Sequence, residues 1–121
     1  MRVVKVIPLG TGSESAEVVL TDGQHVCRAF CHPCSINEGA ELSEPLHLFD
    51  VSGLMLSEAK EPWLESIKTP SLRHRGVARV ADRAARLLEI GSLVFQVEDD
   101  FPGGIKSGDM VEFACERLDI W

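Results

Sequence analysis

"GVARVADRAARLLEIGSLVFQV", Gly76–Val97, carries two periodicities at once. Read as a helix over about 77–90, it lays Val77, Val80, Ala81, Ala84, Leu87 and Leu88 along one stripe, with Gly91 placed for a C-terminal cap. Read as strands, "GVARV" and "ARLLEIG" flank a turn near Asp82–Arg83, and a second turn at Gly91–Ser92 leads into "LVFQV", Leu93–Val97. Residue propensity favours the helix. The surroundings favour strands, so two strands are the expectation and an α+β fold with a helix at about 77–90 is the alternative.

Those surroundings are β-rich. "VVKVI" (Val3–Ile7) is short and β-branched, and "AEVVL" (Ala16–Leu20) resumes after the turn cluster "TGSES". Asp22-Gly23 then offers a two-residue hairpin turn into "HVCRAFC" (His25–Cys31). That strand alternates Val26, Arg28 and Phe30 with Cys27, Ala29 and Cys31, and Pro33 ends it. "SINEGAELSEP" reads as a loop. "LHLFDV" and "LMLS" read as one extended segment bent at Gly53, and Pro62–Glu65 as a short helical turn. In "MVEFACE" (Met110–Glu116), Val111, Phe113 and Cys115 share one face. Turn residues crowd the connector before it, "EDDFPGGIKSGD". The sum is a mainly β chain, a single small barrel or sandwich of about six or seven mostly antiparallel strands spanning 1–121.

Two heptapeptides, Ile36–Leu42 and Ile105–Val111, both read apolar-x-x-Gly-x-x-apolar and both precede a strand. "IKSGDMVEF" resembles the Gly-Asp turn that opens a strand in OB-fold and SH3-like barrels. An OB-like barrel would imply binding of oligonucleotide, oligosaccharide or protein on one sheet face.

At 121 residues the chain suits one domain, and 45% hydrophobic against 26% charged residues excludes a disordered polymer. No apolar run approaches the roughly 20 residues of a membrane-spanning helix. "MRVVKVIPLGTG" has neither the apolar core nor the cleavage site of a signal peptide. A cytoplasmic location without membrane attachment is the expectation, with its four cysteines as thiols.

The net charge of −7 is unevenly spread. Residues 14–65 hold ten acids against Arg28 and Lys60, and residues 87–121 hold eight acids against two bases. Between them, residues 68–86 hold six bases (Lys68, Arg73, Arg75, Arg79, Arg83, Arg86) against Asp82 alone. A basic face paired with its acidic neighbours is the simplest reading. Phosphate binding is disfavoured by the acidic field around it.

The cysteines raise the question of metal or redox chemistry. "CRAFCHPC" resembles, in spacing alone, the iron–sulfur signature of radical S-adenosylmethionine enzymes. In an extended strand, however, Cys27 and Cys31 stand about 13 Å apart, too far to share one metal with bonds near ~2.3 Å. "CHPC" resembles the thioredoxin-type pair, yet neither a following helix nor a βαβ unit accompanies it. Cys31 and Cys34 therefore remain candidates for a small zinc or thiol site, to be completed from His25, His32, His47, His74 or Cys115. Cys27 and Cys115 read as buried apolar residues.

Other chemistry finds little support. Glu98-Asp99-Asp100 lacks the spacing of a calcium loop, no phosphate-binding glycine motif is present, and Ser13, Ser35 and Ser52 sit in no nucleophile elbow. His47, between Leu46 and Leu48, reads as structural. The chain is thus expected to be a non-enzymatic binding or accessory module without a cofactor, contacting a protein partner or itself. Accessory subunits and toxin-neutralising immunity proteins are of this kind. The candidate binding residues are Arg28, Phe30, Arg73, Arg75, Trp63 and Trp121. The alternatives are an OB-like nucleic-acid-binding domain using Arg28, Phe30 and the Arg73–Arg86 segment, or a small zinc or thiol protein at Cys31 and Cys34.

Overall fold

A computed structural model describes residues 1–67 and 71–121. Among these described residues there are strands and no helix: β1 (Arg2–Pro8), β2 (Ala16–Thr21), β3 (Val26–Cys31), β4 (Leu46–Leu56), β5 (Trp63–Ser66), β6 (His74–Asp82), β7 (Leu87–Ile90), β8 (Leu93–Gln96) and β9 (Met110–Ile120). Five of them, in the order β9–β4–β8–β7–β6 and back to β9, close a mixed barrel, and β1, β2, β3 and β5 lie outside it.

The ambiguous stretch is β6–β7–β8, an antiparallel meander whose first turn falls at Arg83–Arg86. The helix at 77–90 does not form. Val80, Leu88, Ile90, Leu93 and Phe95 instead alternate into the barrel, where they are almost wholly buried. This burial outweighs a helix preference of a few tenths of a kcal/mol per residue.

The described residues form nine strands rather than six or seven. "WLES" is a strand, not a helical turn, because it pairs along β6 from Trp63↔Val77 to Ser66↔His74. Two pairings, β3–β9 and β4–β8, are parallel. The β2–β3 hairpin closes at Thr21↔Val26, so its connection holds four residues instead of two. The Asp22 carboxylate sets that length by accepting the backbone N–H groups of Gln24 (2.9 Å) and His25 (2.7 Å). In the two Gly-centred heptapeptides, Gly39 and Gly108 both take positive φ, at 86° and 93°. The first lies in the loop that covers the start of the outer edge of β1, through Val3 N–H to Ala40 O and Gly39 N–H to Val3 O, both 2.8 Å.

One core cluster runs through barrel and outer strands alike, including Val18, Leu20, Cys27 and Ala29 from β2–β3 with Phe95, Val111, Phe113 and Leu118 from the barrel. Phe101 and Ile105, in the connector before β9, are buried with them.

β4 and β9 change phase together. Leu46 and Leu48 point inward, as does Leu118, while Asp50 and Glu116 are exposed, and inward positions resume at Val51 and Cys115. Asp50 marks the break with φ 56°, a left-handed backbone that Asp tolerates better than most residues. A further register shift between Ser52 and Met55 makes the bend expected at Gly53. The result is two differently facing halves. The half of β9 from Met110 to Cys115 lies between β4 and β6, and the half from Leu118 to Ile120 lies between β4 and β3.

Candidate functional site

The second half of β9 carries the most distinctive surface. Register places Phe30 and His47 on either side of Asp119, and Phe49 beside Arg117. The Arg117 guanidinium lies over both the Phe30 and Phe49 rings, 4.5 Å from each centroid. Asp119 holds it there, accepting from Arg117 Nε at 2.6 Å and from the terminal nitrogen at 3.2 Å. Next in the row, Trp121 stacks on His47 with centroids 3.7 Å apart and planes within 7°. His32 extends the row beyond Phe30, at a centroid distance of 6.4 Å. Burial lowers the His47 pKa although Asp119, Glu98 and Glu44 pull it the other way, so the ring under Trp121 is neutral near pH 7.

Phe49 is 47% exposed and Trp121 77% exposed, so a layered strip of rings with one cation faces solvent, held from beneath by the buried Asp119 carboxylate. Of this strip, the sequence marks Phe30 and Trp121 as binding residues and His47 as structural or a zinc ligand, and passes over Arg117, Phe49 and Asp119. The outward alternation of His47 and Phe49 in "LHLF" was a usable signal. Arg117 was not legible, because its outward direction depends on the phase change of β9.

The remaining candidates fall elsewhere. Arg28 is on the outward face of β3 as expected, but its side chain is engaged: it donates to Glu17 Oε1 (2.9 Å), Ile67 O (2.6 Å) and Ser71 O (2.5 Å). This makes it a clamp on the β5–β6 connection. Arg73 pairs with Glu116 at 3.4 Å and Arg75 with Glu65 at 3.0 Å, while Arg75 also lies 6.0 Å over the Trp63 ring. Arg86 pairs with Asp100 at 2.9 Å and Arg83 donates to Ile105 O at 2.7 Å. The basic segment is therefore tied largely to acids and carbonyls of the same chain; its Lys68 lies outside the described residues. Trp63, 42% exposed, flanks a separate groove of about 230 Å³ floored by Gly53, Gly76 and Ala114.

Cys27 and Cys31 share the inner face of β3, where both are buried. Burial first, and then the adjacent Cys34 thiol, pushes the Cys31 pKa up to about 12. Burial raises Cys27 and Cys115 to about 12 as well. Among the described residues, no three His, Cys, Asp or Glu side chains converge as a metal ion would require.

His74 is fully buried between barrel and outer strands. Its Nδ1–H donates to Leu72 O at 2.9 Å and its Nε2 accepts Arg28 N–H at 3.2 Å. Burial lowers its pKa to about 4, so it is a neutral strut rather than an acid or base open to a substrate.

Comparison of the chain with protein-family models, with curated proteins and with solved structures gave no match.

Proposed function

We propose that the chain is a non-enzymatic β-barrel binding module that engages a protein partner through the outward face of β3, β9 and β4. The observation that carries this reading is the Phe30–Arg117–Phe49 sandwich continued by the His47–Trp121 stack, with Trp121 77% exposed. Aromatic residues and arginine are the types enriched at protein interface hot spots, where rigid rings lose little entropy on contact. A cytoplasmic setting agrees with four free thiols.

A nucleic-acid reading has one feature in its favour. If β4 is counted after β9, the barrel strands β6, β7, β8, β9 and β4 follow the OB-fold order, with β8 and β4 as the parallel pair. The OB binding face would then be β7–β8. Its outward residues are Leu87, Glu89, Val94 and Gln96, which offer no ring for base stacking. Protein binding is therefore the preferred function.

The test is affinity capture from the source cell with the wild-type chain and with a Phe49→Ser, Trp121→Ser double variant. Both sites are exposed, so the variant should keep wild-type thermal stability. A stoichiometric protein partner held by the wild type and lost by the variant is expected. Equal capture by both would remove this face from the proposal. Salt-sensitive binding of single-stranded oligonucleotide by anisotropy would favour the second reading instead.

A further inference from the structure

β4 is a barrel strand with one side left open. Towards β9 it is paired from His47 to Leu56, whereas towards β8 it is paired only at Leu46 and His47. From Phe49 to Leu56 the edge facing away from β9 has no backbone partner among the described residues. The contrast with β1 is instructive. The start of that outer edge, at Arg2 and Val3, is covered by the Gly39–Leu42 segment, one usual protection of an edge strand.

Beside the open edge lies a cleft of about 540 Å³, bounded by every residue from Leu48 to Leu54 and, opposite, by Val97–Asp100 and Pro102. The edge along Leu48–Leu54 turns at Asp50 (φ 56°) and at Gly53 (φ 64°), so an added segment would follow the short extended stretches on either side of these turns. Four carboxylates stand on its rim: Asp50, Glu98, Asp99 and Asp100. Arg86 neutralises Asp100; the other three have no ion pair among the described residues. Phe49, Leu54, Val97 and Pro102 supply apolar surface between them.

We propose that this edge accepts an extended segment of a partner protein with lysine or arginine at alternate positions, added to β4 as a further strand. Backbone hydrogen bonds to the unpaired groups of residues 49–56 would supply the attachment. The period of two in a strand would turn every second side chain of the segment towards the carboxylates. An acidic segment or a nucleic acid would meet like charge on the same rim. This inference uses the edge of β4 and its acidic rim; it shares Phe49 with the aromatic strip but not Arg117, His47 or Trp121, so a Trp121→Ser variant alone separates the two.

The experiment uses a fluorescein-labelled decapeptide of alternating lysine and threonine, with the glutamate–threonine decapeptide as control. Anisotropy at ~50 mM salt should show the lysine peptide binding at least about tenfold more tightly than the control. A Glu98→Lys, Asp99→Lys variant, altered only at exposed positions and still carrying Phe49 and Trp121, should lose about tenfold in affinity. Hydrogen exchange of the complex should show new protection of amides within residues 49–56. Equal binding of the two peptides, no binding of either, or binding without protection of β4 would each overturn the proposal. The last result would mean adsorption to the acidic rim rather than strand addition.

Discussion

The imidazole of His74 accepts the backbone N–H of Arg28 at 3.2 Å, joining β6 to β3 where β9 does not reach. Parallel pairing of β3 with β9 begins at Ala29, so the Arg28 amide would otherwise be buried without a partner. The ring serves this role only while neutral.

Acid should therefore weaken the fold in a defined window. The folded His74 pKa lies near 4 against 6.5 unfolded, so between those values the unfolded chain binds the extra proton. Its contribution is complete above about pH 6.5, falls as pH falls, and is gone below about pH 4. The depression corresponds to at most about 3 kcal/mol. Urea denaturation as a function of pH should show this slope. His74→Gln, which can still accept from Arg28, should be less stable at pH 7 but flatter from pH 6.5 to 4. An unchanged slope in the variant would assign the acid limb to other groups.

Asp22 ties the β2–β3 turn to the β7–β8 turn. Besides Gln24 and His25, its carboxylate accepts the Ser92 N–H at 2.9 Å, and its side chain is only 3% exposed. Burial opposes its ionisation, but these backbone donors more than offset that and hold its pKa well below the ordinary carboxylate range. Asp22→Ala should cost about 2–3 kcal/mol at pH 7, read as a lower urea midpoint at constant m. Asp22→Asn should cost roughly half as much, because it keeps an acceptor but loses the charge. A loss below about 0.5 kcal/mol for the alanine variant would show that water replaces the carboxylate.

Gly76 lets β5 approach β6. A Cβ at that position would stand 2.3 Å from the Trp63 carbonyl oxygen, a backbone atom that cannot move aside alone. Gly76→Ala should destabilise by about 2 kcal/mol and speed amide exchange across Trp63–Ser66. Wild-type exchange in that strand would contradict the close approach.

The cysteines should divide by reactivity. Cys27, Cys31 and Cys115 are buried with thiols near 12, while Cys34 is half-buried. Alkylation with iodoacetamide at pH 8 should modify Cys34 first in the native protein, and the other three only on unfolding. Mass spectrometry that finds Cys27 or Cys115 labelled before unfolding would refute this ordering.

Several core faces were legible because a strand's period of two is written locally. Cys27, Ala29 and Cys31, and Val111, Phe113 and Cys115, share inward faces as their alternation required. The β6–β8 meander followed from the same logic once its surroundings outweighed helix propensity. Trp63–Ser66 was less visible. A four-residue edge strand beside Pro62 has little pattern of its own and forms through its pairing with β6.

By itself, then, the sequence pointed to a mainly β chain, with an α+β fold as its alternative, and to the shared faces of Cys27 with Cys31 and of Val111, Phe113 and Cys115. Tertiary structure decided which strands meet: that β9 is shared between barrel and outer strands, that Arg117 lies between Phe30 and Phe49, and that β4 keeps an open edge above an acidic cleft. Alternation follows from the backbone geometry of each strand, so neighbouring residues carry it. Pairing depends on closing long loops and burying surface between distant segments, and no short window of sequence records that.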